Sequence, residues 1–406
     1  MSLNEDRRTE RRKIRGRRLN QVYSRLAIIF AVVLLVVLIV NIIKPSTDFS
    51  TSENRVLAQR PEFTWESVKS GKFMSEFESY VSDQFFMRDQ WITLKLYEDK
   101  LLGKKESNGV YLGKDGYLMG VLGTPDWDNV NKNAQSIGEF AARHADIPVY
   151  MALVPNAAYI LESKMPSGAP VRDQAKDIAD VMSAAGSQVK PIDVIETLKK
   201  HAEEDIYYKT DHHWTSLGAY YAFYDVATAM NISGPETEYN IYTVADDFQG
   251  TLASKSGYHG SKDRVQIYEP KNVNPDYIVL YTEEGEKTTS IYSSDALKEQ
   301  DKYTVFFGGN HARIEISTTQ KEQKNLLLFK DSYANCFVQF LLPYYQNIVI
   351  VDPRYFYDDV DSIIENYAIT DVLFLYNADT FLSDNSIADV LAVEETTEET
   401  TGEGAQ

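Results

Sequence analysis

Three short apolar runs in the C-terminal third of this sequence constrain its fold most strongly. The runs are Leu326–Phe329, Ile348–Val351 and Val372–Tyr376. Each run is too short for a buried helix, and segments with helical patterning, Ala334–Leu342 and Asp358–Tyr367, separate them. Continuously apolar strands that alternate with helices are typical of a parallel sheet covered on both faces. The sequence therefore predicts an α/β fold.

The same alternation begins earlier in the chain. A buried strand is predicted at Val149–Val154, where Pro155 ends it, and helices are predicted near Val130–His144 and at Asp177–Ala185 and Thr215–Met230. Further upstream, Trp65–Leu102 has a largely helical pattern, and Val110–Leu118 resembles a hairpin whose turn is Asp115-Gly116.

Residues 231–325 interrupt the alternation. They contain runs of β-like composition between polar turns, at Tyr239–Val244, Tyr277–Tyr281, Thr304–Phe307 and Arg313–Ser317. We therefore expect a β-rich insertion in the parallel domain, placed where it could form a wall of the functional site.

The N-terminal segment combines a basic tail with a long apolar run. Residues 1–25 carry nine Lys and Arg residues against three acidic ones, and residues 26–43 are apolar apart from Asn41. As a helix, the apolar run would be roughly 27 Å long, close to the hydrocarbon thickness of a bilayer. Because the basic flank precedes the run, we expect a single-pass protein of the cell membrane, with its N-terminus in the cytoplasm and its main domain outside.

A cleaved signal peptide is the alternative interpretation. The basic region and the apolar run are both longer than in ordinary signal peptides, and Asn41–Pro45 offers no small-residue cleavage site. These features favour an uncleaved anchor, followed by a polar stalk at residues 44–60 and an extracytoplasmic domain at residues 61–393. Residues 394–406 are almost entirely Glu, Thr and Gly, so we expect them to be disordered.

The chain is strongly acidic outside its basic tail. It carries 60 acidic and 41 basic residues, which gives a net charge of −19 at pH 7. Such a domain repels phosphate backbones, so the composition argues against nucleic acid as a partner.

Polar residues follow each of the three C-terminal strands. Ser332, Arg354 and Asn377 stand close to the ends of these strands, and ligands of open parallel sheets bind at the carboxyl edge. Ser332 could act as a nucleophile, with the next helix offering N–H groups to an oxyanion, and Asn377 could add a side-chain donor. The alternative is that Ser332 only caps the following helix.

The segment Asp211-His212-His213-Trp214 precedes a predicted helix and holds two of the six histidines. A carboxylate beside an imidazole orients a general base and stabilises its protonated form, so His213 or His212 could activate a serine. Zinc hydrolysis is a competing interpretation, but adjacent histidine side chains are expected to diverge and no third ligand motif follows. Trp214 could stack on a sugar face or pack beside the motif.

The segments around Asp211 and Ser332 resemble those of a known protein family. Asp211-His212-His213-Trp214 resembles the signature of the DHHW protein family, which is similar to alginate O-acetylation proteins with a permuted SGNH-hydrolase-like domain. Lys330–Asn335 is similar to the turn that holds the serine in that wider group, and Ser52–Ala58 resembles the family's Glu-Asn-Arg segment. The likeness extends from about Ser52 to Phe381. It implies a parallel sheet with helices on both faces, in an order that places acid and base before the nucleophile.

The resemblance assigns roles residue by residue. Asp-x-His-Trp places the acid of a triad on Asp211 and the base on His213, and Ser332 matches the nucleophile. The oxyanion asparagine should follow the serine, which favours Asn377 over Asn156 or Gly308-Gly309-Asn310. The variable position of the motif is itself a histidine, so His212 stays open as the base. Arg354, His212 and Trp214 are further candidates for substrate contact.

The resemblance also implies a substrate and a partner. The substrate would be a cell-envelope polysaccharide, a multi-pass membrane O-acyltransferase would supply acetyl groups, and no cofactor is implied. The sequence therefore predicts a membrane-anchored extracytoplasmic serine acyltransferase or esterase that acts on O-acetyl groups. The alternative is a non-catalytic polysaccharide-binding or scaffold protein of the envelope, which the acidic exterior, the 27 tyrosines and the β-rich insertion would also suit.

Overall fold

A computed structural model of the chain describes residues 2–50, 55–235, 238–273 and 275–392. The predicted acidic tail at residues 394–406 and the Glu-Asn part of the Glu-Asn-Arg segment lie outside the described residues. Described residues up to Ile92 form one compact unit, and those from Thr93 onward form a second.

The α-helices of the described residues are α1 (Ser2–Ile43), α2 (Trp65–Lys69), α3 (Lys72–Asp83), α4 (Arg88–Leu101), α5 (Trp127–Arg143), α6 (Ala157–Ile160), α7 (Gln174–Ala185), α8 (Ile195–Lys200), α9 (Ser216–Ala229), α10 (Thr251–Ser256), α11 (Val360–Tyr367), α12 (Ala378–Ser383) and α13 (Ile387–Val390). Short 3-10 helices occur at Lys114–Gly116, Glu162–Lys164, Asp295–Lys298, Lys302–Val305, Ser332–Cys336 and Val338–Phe340.

The strands are β1 (Phe49–Ser50), β2 (Arg55–Val56), β3 (Glu106–Ser107), β4 (Val110–Leu112), β5 (Leu118–Gly120), β6 (Val149–Val154), β7 (Val189–Ile192), β8 (Tyr239–Phe248), β9 (Asp263–Pro270), β10 (Tyr277–Tyr281), β11 (Glu286–Thr288), β12 (Arg313–Thr318), β13 (Asn325–Lys330), β14 (Asn347–Val351) and β15 (Asp371–Asn377).

The N-terminal unit begins with the long helix α1. Its segment Arg15–Ile43 is long and apolar enough to cross a membrane, with a mean hydropathy of 3.4 in its most apolar window. No other helix of the described chain meets this criterion. The segment therefore suits either a membrane anchor or a signal sequence. The helical pattern predicted for Trp65–Leu102 is confirmed by α2, α3 and α4.

The second unit is built on an eight-stranded sheet with the order β11-β10-β12-β14-β13-β15-β6-β7. The five strands from β14 to β7 are parallel, whereas β12, β10 and β11 pair antiparallel. The predicted α/β fold with a mostly parallel sheet is therefore confirmed. The first hairpin is also confirmed, since β4 and β5 pair across a turn in which Asp115 and Gly116 have positive φ angles.

Alternate residues of the central strands fill two different cores. Leu327 and Phe329 face the layer of α5 and α7, whereas Leu326 and Leu328 face the layer that contains α9. Phe329 stacks on Phe374 with ring centroids 4.5 Å apart. Since both faces are covered, every residue of β13 is buried, which explains why these strands are apolar without alternation.

The segment predicted as a β-rich insertion contains two different structures. Strands β10, β11 and β12 extend the central sheet as its antiparallel edge, whereas β8 and β9 form a separate ribbon. The strand prediction at Thr304–Phe307 is wrong, because Lys302–Val305 is a 3-10 helix. The Asp301 carboxylate caps this helix by accepting from the N–H of Tyr303 at 3.1 Å.

The helical stretch predicted at Ala334–Leu342 is present as the two 3-10 helices Ser332–Cys336 and Val338–Phe340 rather than as an α-helix. Side chains occupy the carbonyls that an α-helix would need as acceptors. Tyr303 donates to the carbonyl of Ser332, Trp214 to that of Tyr333, and Gln339 to that of Cys336. The backbone N–H groups therefore bond three residues back, as from Phe340 to Phe337 at 3.0 Å.

Candidate active site

The end of β13 places Ser332 at the carboxyl edge of the sheet. Asp331 directly precedes it, and one oxygen of the buried carboxylate accepts from the N–H of Tyr333 at 2.9 Å. The other oxygen accepts from the N–H of Asn377 at 3.0 Å. Asp331 therefore joins the serine turn to the end of the neighbouring strand β15, and its burial raises the pKa of its carboxyl.

A different buried carboxylate shapes the segment that carries Asp211. Asp263, at the start of β9, accepts from the N–H groups of Lys209 and Thr210 at 2.8 Å each, and from the Thr210 hydroxyl at 2.6 Å. The Thr210 hydroxyl in turn accepts from the N–H of Gly250 at 3.1 Å. No local pattern indicates this role of Asp263, since it lies 53 residues away from Thr210.

Asp211, His213 and Ser332 form a continuous hydrogen-bonded chain. The Nδ1 atom of His213 lies 2.5 Å from Asp211 Oδ1, and its Nε2 atom lies 2.8 Å from Ser332 Oγ. Asp211 and His213 are buried, whereas Ser332 is partly exposed. The structure thus brings together the three residues that the sequence selected, and it does so with His213 in the middle.

Asp211 has its acceptor sites filled on both oxygens. Oδ1 accepts from the N–H and Nδ1 of His213, and Oδ2 accepts from the N–H and hydroxyl of Thr251 at 2.9 Å each. Gly250 makes this approach possible, since a Cβ atom there would lie 2.3 Å from Asp211. Burial would raise the pKa of Asp211, but the two histidines and these hydrogen bonds hold it well below its usual range.

The hydrogen-bond network fixes the proton positions of both histidines. Ionised Asp211 only accepts, so the Nδ1 atom of His213 carries a proton and its Nε2 atom accepts from the Ser332 hydroxyl. The Thr251 hydroxyl donates to Asp211, so His212 Nδ1 must donate to Thr251 Oγ at 2.7 Å. His213 is therefore in the tautomer that a general base requires.

His212 lies beside the hydrogen-bonded series Asp211–His213–Ser332 and is not part of it. Its Nδ1 atom is 3.7 Å from Asp211 Oδ1, and 42% of its side-chain surface is exposed. The packing of protein around the ring, together with His213, lowers the pKa of His212. The expectation that the two adjacent histidines diverge is wrong, because their ring centroids are 3.9 Å apart.

Asp211, His212 and His213 also have ligand types that could hold a metal ion. Potential ligand atoms of Asp211, His212 and His213 lie within 4.8 Å of one another, so this set has the composition of a cation site. Both ring nitrogens of His213 are already hydrogen-bonded, one to Asp211 and one to Ser332. A cation ligated by His213 would therefore have to replace one of those bonds.

The contacts that Tyr303 makes around Ser332 were not anticipated from the sequence. The Tyr303 hydroxyl donates to the Ser332 carbonyl at 2.8 Å, and its ring stacks on the His213 imidazole at a centroid distance of 3.8 Å. The backbone N–H of Ser332 has no hydrogen-bond partner within the described part of the chain. This N–H is therefore available to a ligand.

Asn377 is held firmly at the end of β15. Its side-chain oxygen accepts from the N–H groups of Asp379 and Thr380, which caps α12, and its Nδ2 atom donates to the Val154 carbonyl at 3.1 Å. Its Oδ1 atom also lies 3.4 Å from the Nδ2 atom of Asn156, the weaker oxyanion candidate. One hydrogen of Nδ2 is used in the bond to Val154, so only the second could donate to an oxyanion. The predicted oxyanion contact of Asn377 stays a prediction.

Arg354 forms a cluster of charged side chains with Asp352 and Lys330, near the carboxyl ends of β13 and β14. Its Nε and Nη2 atoms bind both oxygens of the buried Asp352 at 2.8 and 2.7 Å, and 29% of its side chain is exposed. Lys330, which is buried, lies 3.3 Å from the same carboxylate and 3.2 Å from Asn310 Oδ1. The predicted substrate contact of Arg354 stays a prediction, and it would use Nη1.

The sequence left two roles open for Trp214, stacking on a sugar face or packing beside the motif. Its side chain is fully buried, stacks on Phe337 with an interplanar angle of 9°, and donates from Nε1 to the Tyr333 carbonyl at 2.8 Å. The ring therefore packs the His213 segment against the Ser332 segment, and the predicted substrate contact of Trp214 stays a prediction.

The chain is similar to known proteins in sequence and in fold. The family model described as DHHW protein matches residues 130–351, which include Asp211, His213 and Ser332. A crystal structure of a DHHW family protein from Eubacterium siraeum is 27% identical, with a TM-score of 0.60, and the match covers 70% of this chain and 95% of that one. No curated protein sequence matches this chain.

Two further solved structures match this chain. Bacillus cereus PatB1 with a sulfonyl adduct is 21% identical, with a TM-score of 0.58, over 69% of this chain and 97% of that one. The O-acetyltransferase domain of Pseudomonas putida AlgJ is 16% identical, with a TM-score of 0.45, over 70% of this chain and 98% of that one.

Proposed function

Since this chain belongs to the DHHW protein family, we propose that it is a membrane-anchored extracytoplasmic serine acyltransferase or esterase that acts on O-acetyl groups of a cell-envelope polysaccharide. One observation carries the proposal, namely the hydrogen-bonded chain from Asp211 through His213 to Ser332. This order of carboxylate, imidazole and hydroxyl activates a serine for attack on a carbonyl carbon.

The first half of the reaction acylates the serine. Ser332 Oγ attacks the carbonyl carbon of an acetyl ester while His213 Nε2 takes the hydroxyl proton. The carbonyl oxygen becomes an oxyanion, which the free N–H of Ser332 would stabilise, with Asn377 as a proposed second donor. When the tetrahedral intermediate collapses, the ester C–O bond breaks, and His213 returns the proton to the leaving oxygen.

The second half releases the acetyl group. His213 removes a proton from a sugar hydroxyl or a water, the resulting oxygen attacks the acetyl carbonyl, and Ser332 leaves with the proton that His213 returns. Asp211 stabilises the imidazolium in both halves, because it is ionised and lies 2.5 Å from Nδ1. A sugar acceptor gives transfer, whereas water gives hydrolysis.

The N-terminal helix supports the proposed location. A segment at Arg15–Ile43 long enough to span a bilayer would tether the domain at the membrane surface, with the basic flank in the cytoplasm. In this position Ser332 could receive acetyl groups from a multi-pass membrane O-acyltransferase, the partner we propose for the transfer direction. Residues 44–60 would serve as the stalk and residues 61–393 as the outer domain.

The proposed activity is tested with the full-length chain in detergent. We expect it to release nitrophenol from nitrophenyl acetate and, when cell-wall polysaccharide is added, to place acetyl groups on the polymer. Ser332→Ala should abolish both reactions while the free energy of unfolding stays close to that of the wild type. Equal nitrophenol release by both chains would contradict the proposal.

A second candidate is a glycan-binding protein without catalysis, and one cleft favours it. A cavity of about 780 Å³ is lined by three tyrosines, Tyr268, Tyr277 and Tyr292, and by hydroxyl and carboxylate side chains. Aromatic rings with nearby polar groups suit sugar faces. This candidate predicts that Ser332→Ala binds oligosaccharides as tightly as the wild type and that neither chain turns over an acetyl ester.

A further inference from the structure

We infer that Tyr303 is a positioning residue that fixes His213 and Ser332 relative to each other. The inference rests on the proposed function, because it gives the Tyr303 side chain a purpose in serine acylation. No motif identified in the sequence contains Tyr303, and the segment around it was expected to be a strand.

Tyr303 contacts both members of the reacting pair through different parts of its side chain. Its ring lies on the His213 imidazole, with centroids 3.8 Å apart and an interplanar angle of 14°. Its hydroxyl donates to the carbonyl of Ser332 at 2.8 Å. The two segments joined in this way are 119 residues apart in the chain.

The ring contact limits the rotation of the imidazole. His213 has one face against Tyr303, and the His212 ring lies 3.9 Å away, tilted by 37°. A rotation about the Cβ–Cγ bond would drive the imidazole edge into the Tyr303 ring. The stack therefore keeps Nε2 directed at Ser332 Oγ while Nδ1 stays on Asp211.

The hydroxyl contact fixes the serine backbone. In an α-helix the Ser332 carbonyl would accept from the N–H four residues later, and the Tyr303 hydroxyl takes that place. The segment Ser332–Cys336 consequently stays in the tighter 3-10 form. This conformation sets both the position of Oγ and the direction of the free Ser332 N–H.

Tyr303 itself is rigidly held. It is buried, its N–H donates to the Asp301 carboxylate, and its ring also packs against Tyr208 and Phe306. Because the Tyr303 side chain is fixed in this way, its two contacts can hold the distance between His213 Nε2 and Ser332 Oγ at 2.8 Å before any substrate binds.

Two substitutions separate the two contacts. Tyr303→Phe keeps the ring and removes the hydroxyl, whereas Tyr303→Leu removes both. Tyr221→Phe and Tyr221→Leu are matched controls, since the Tyr221 ring also stacks on an imidazole, that of His201, with centroids 3.6 Å apart, and its hydroxyl donates to Glu204, outside the serine site.

The first readout is the second-order rate at which an arylsulfonyl fluoride inactivates the full-length chain in detergent. In this reaction Ser332 Oγ forms a bond to sulfur, fluoride leaves, and His213 accepts the serine proton. We expect Tyr303→Phe to slow inactivation by about fivefold, as one lost hydrogen bond predicts. Tyr303→Leu should slow it by roughly 10²-fold, because the imidazole is then misplaced. Wild-type rates in both Tyr303 variants would overturn the inference.

The second readout does not depend on activity. The Tyr303 ring current should shift the Cε1 proton of His213 upfield in the NMR spectrum of the chain labelled at histidine. That shift should persist in Tyr303→Phe and vanish in Tyr303→Leu. A wild-type chain that shows the shift but resists the reagent would refute the proposed function alone. A His213 resonance equal in wild type and Tyr303→Leu would refute the positioning role alone.

Discussion

The Nε2 atom of His213 lies 2.8 Å from the Oγ atom of Ser332, although 119 residues separate them in the chain. His212, which is adjacent in sequence, bonds instead to Thr251. His213 is therefore the histidine that hydrogen-bonds the Ser332 hydroxyl in this structure.

His213→Ala and His212→Ala should have very different effects on acylation. Loss of His213 removes the only imidazole in contact with Ser332 within the described chain, so the rate should fall by roughly 10⁴-fold or more. Loss of His212 removes one hydrogen bond beside the site and should cost about fivefold. Nitrophenol release from nitrophenyl acetate measures both. An inactive His212→Ala variant together with an active His213→Ala variant would show that His212, and not His213, is the general base.

Gly250→Ala should damage the site through Asp211. The added Cβ would lie 2.3 Å from the Asp211 side chain, so the carboxylate must move away from His213 and Thr251. A displacement of about 1 Å in such a site can cost roughly 10²-fold in rate. The rate of acyl-enzyme formation is the measurement, and Gly123→Ala is the control because a Cβ there meets nothing within 4 Å. Equal rates in the two variants would show that Asp211 does not depend on this close approach.

Asp301 should make stability depend on pH. Its burial, together with the nearby Asp211 charge, raises the pKa of this carboxyl to about 7, against about 3.9 in the unfolded chain. Between these values the folded state holds a proton that the unfolded state releases. The contribution of Asp301 to the free energy of unfolding should therefore be largest below about pH 4 and should decrease as the pH rises towards 7.

Chemical denaturation at several pH values tests this dependence. Asp301→Asn should flatten the curve between about pH 4 and pH 7, whereas Asp276→Asn, at an exposed position, should leave it unchanged. A curve that keeps its full slope in Asp301→Asn would assign the pH dependence to other groups.

The sequence predicted the sheet and the members of the site for physical reasons that are local. The strands β13, β14 and β15 are buried on both faces, so they are continuously apolar and easy to recognise. Residues at the ends of neighbouring parallel strands meet at one edge, which placed Ser332 and Asn377 close together without any tertiary information. The Asp-His-His-Trp resemblance then supplied the partner segment.

Other parts of the site depend on long-range contacts that no local pattern records. Thr251, at the start of α10, and Tyr303, in the 3-10 helix Lys302–Val305, reach Asp211, His213 and Ser332 from short helices, and their side-chain types are common and carry no periodic signal. The 3-10 form after Ser332 arises because distant donors take its carbonyls, so helical patterning predicted an α-helix there. The burial of Trp214 likewise follows from tertiary packing.

The role of Ser332 as the nucleophile is tested most directly by the intact mass of the full-length chain after brief exposure to nitrophenyl acetate, beside Ser332→Ala treated in the same way. We expect a transient species heavier by one acetyl group in the wild type, located on Ser332 by peptide mapping, and none on the variant. An acetyl adduct of equal amount on both chains, or turnover that survives in Ser332→Ala, would contradict Ser332 as the nucleophile.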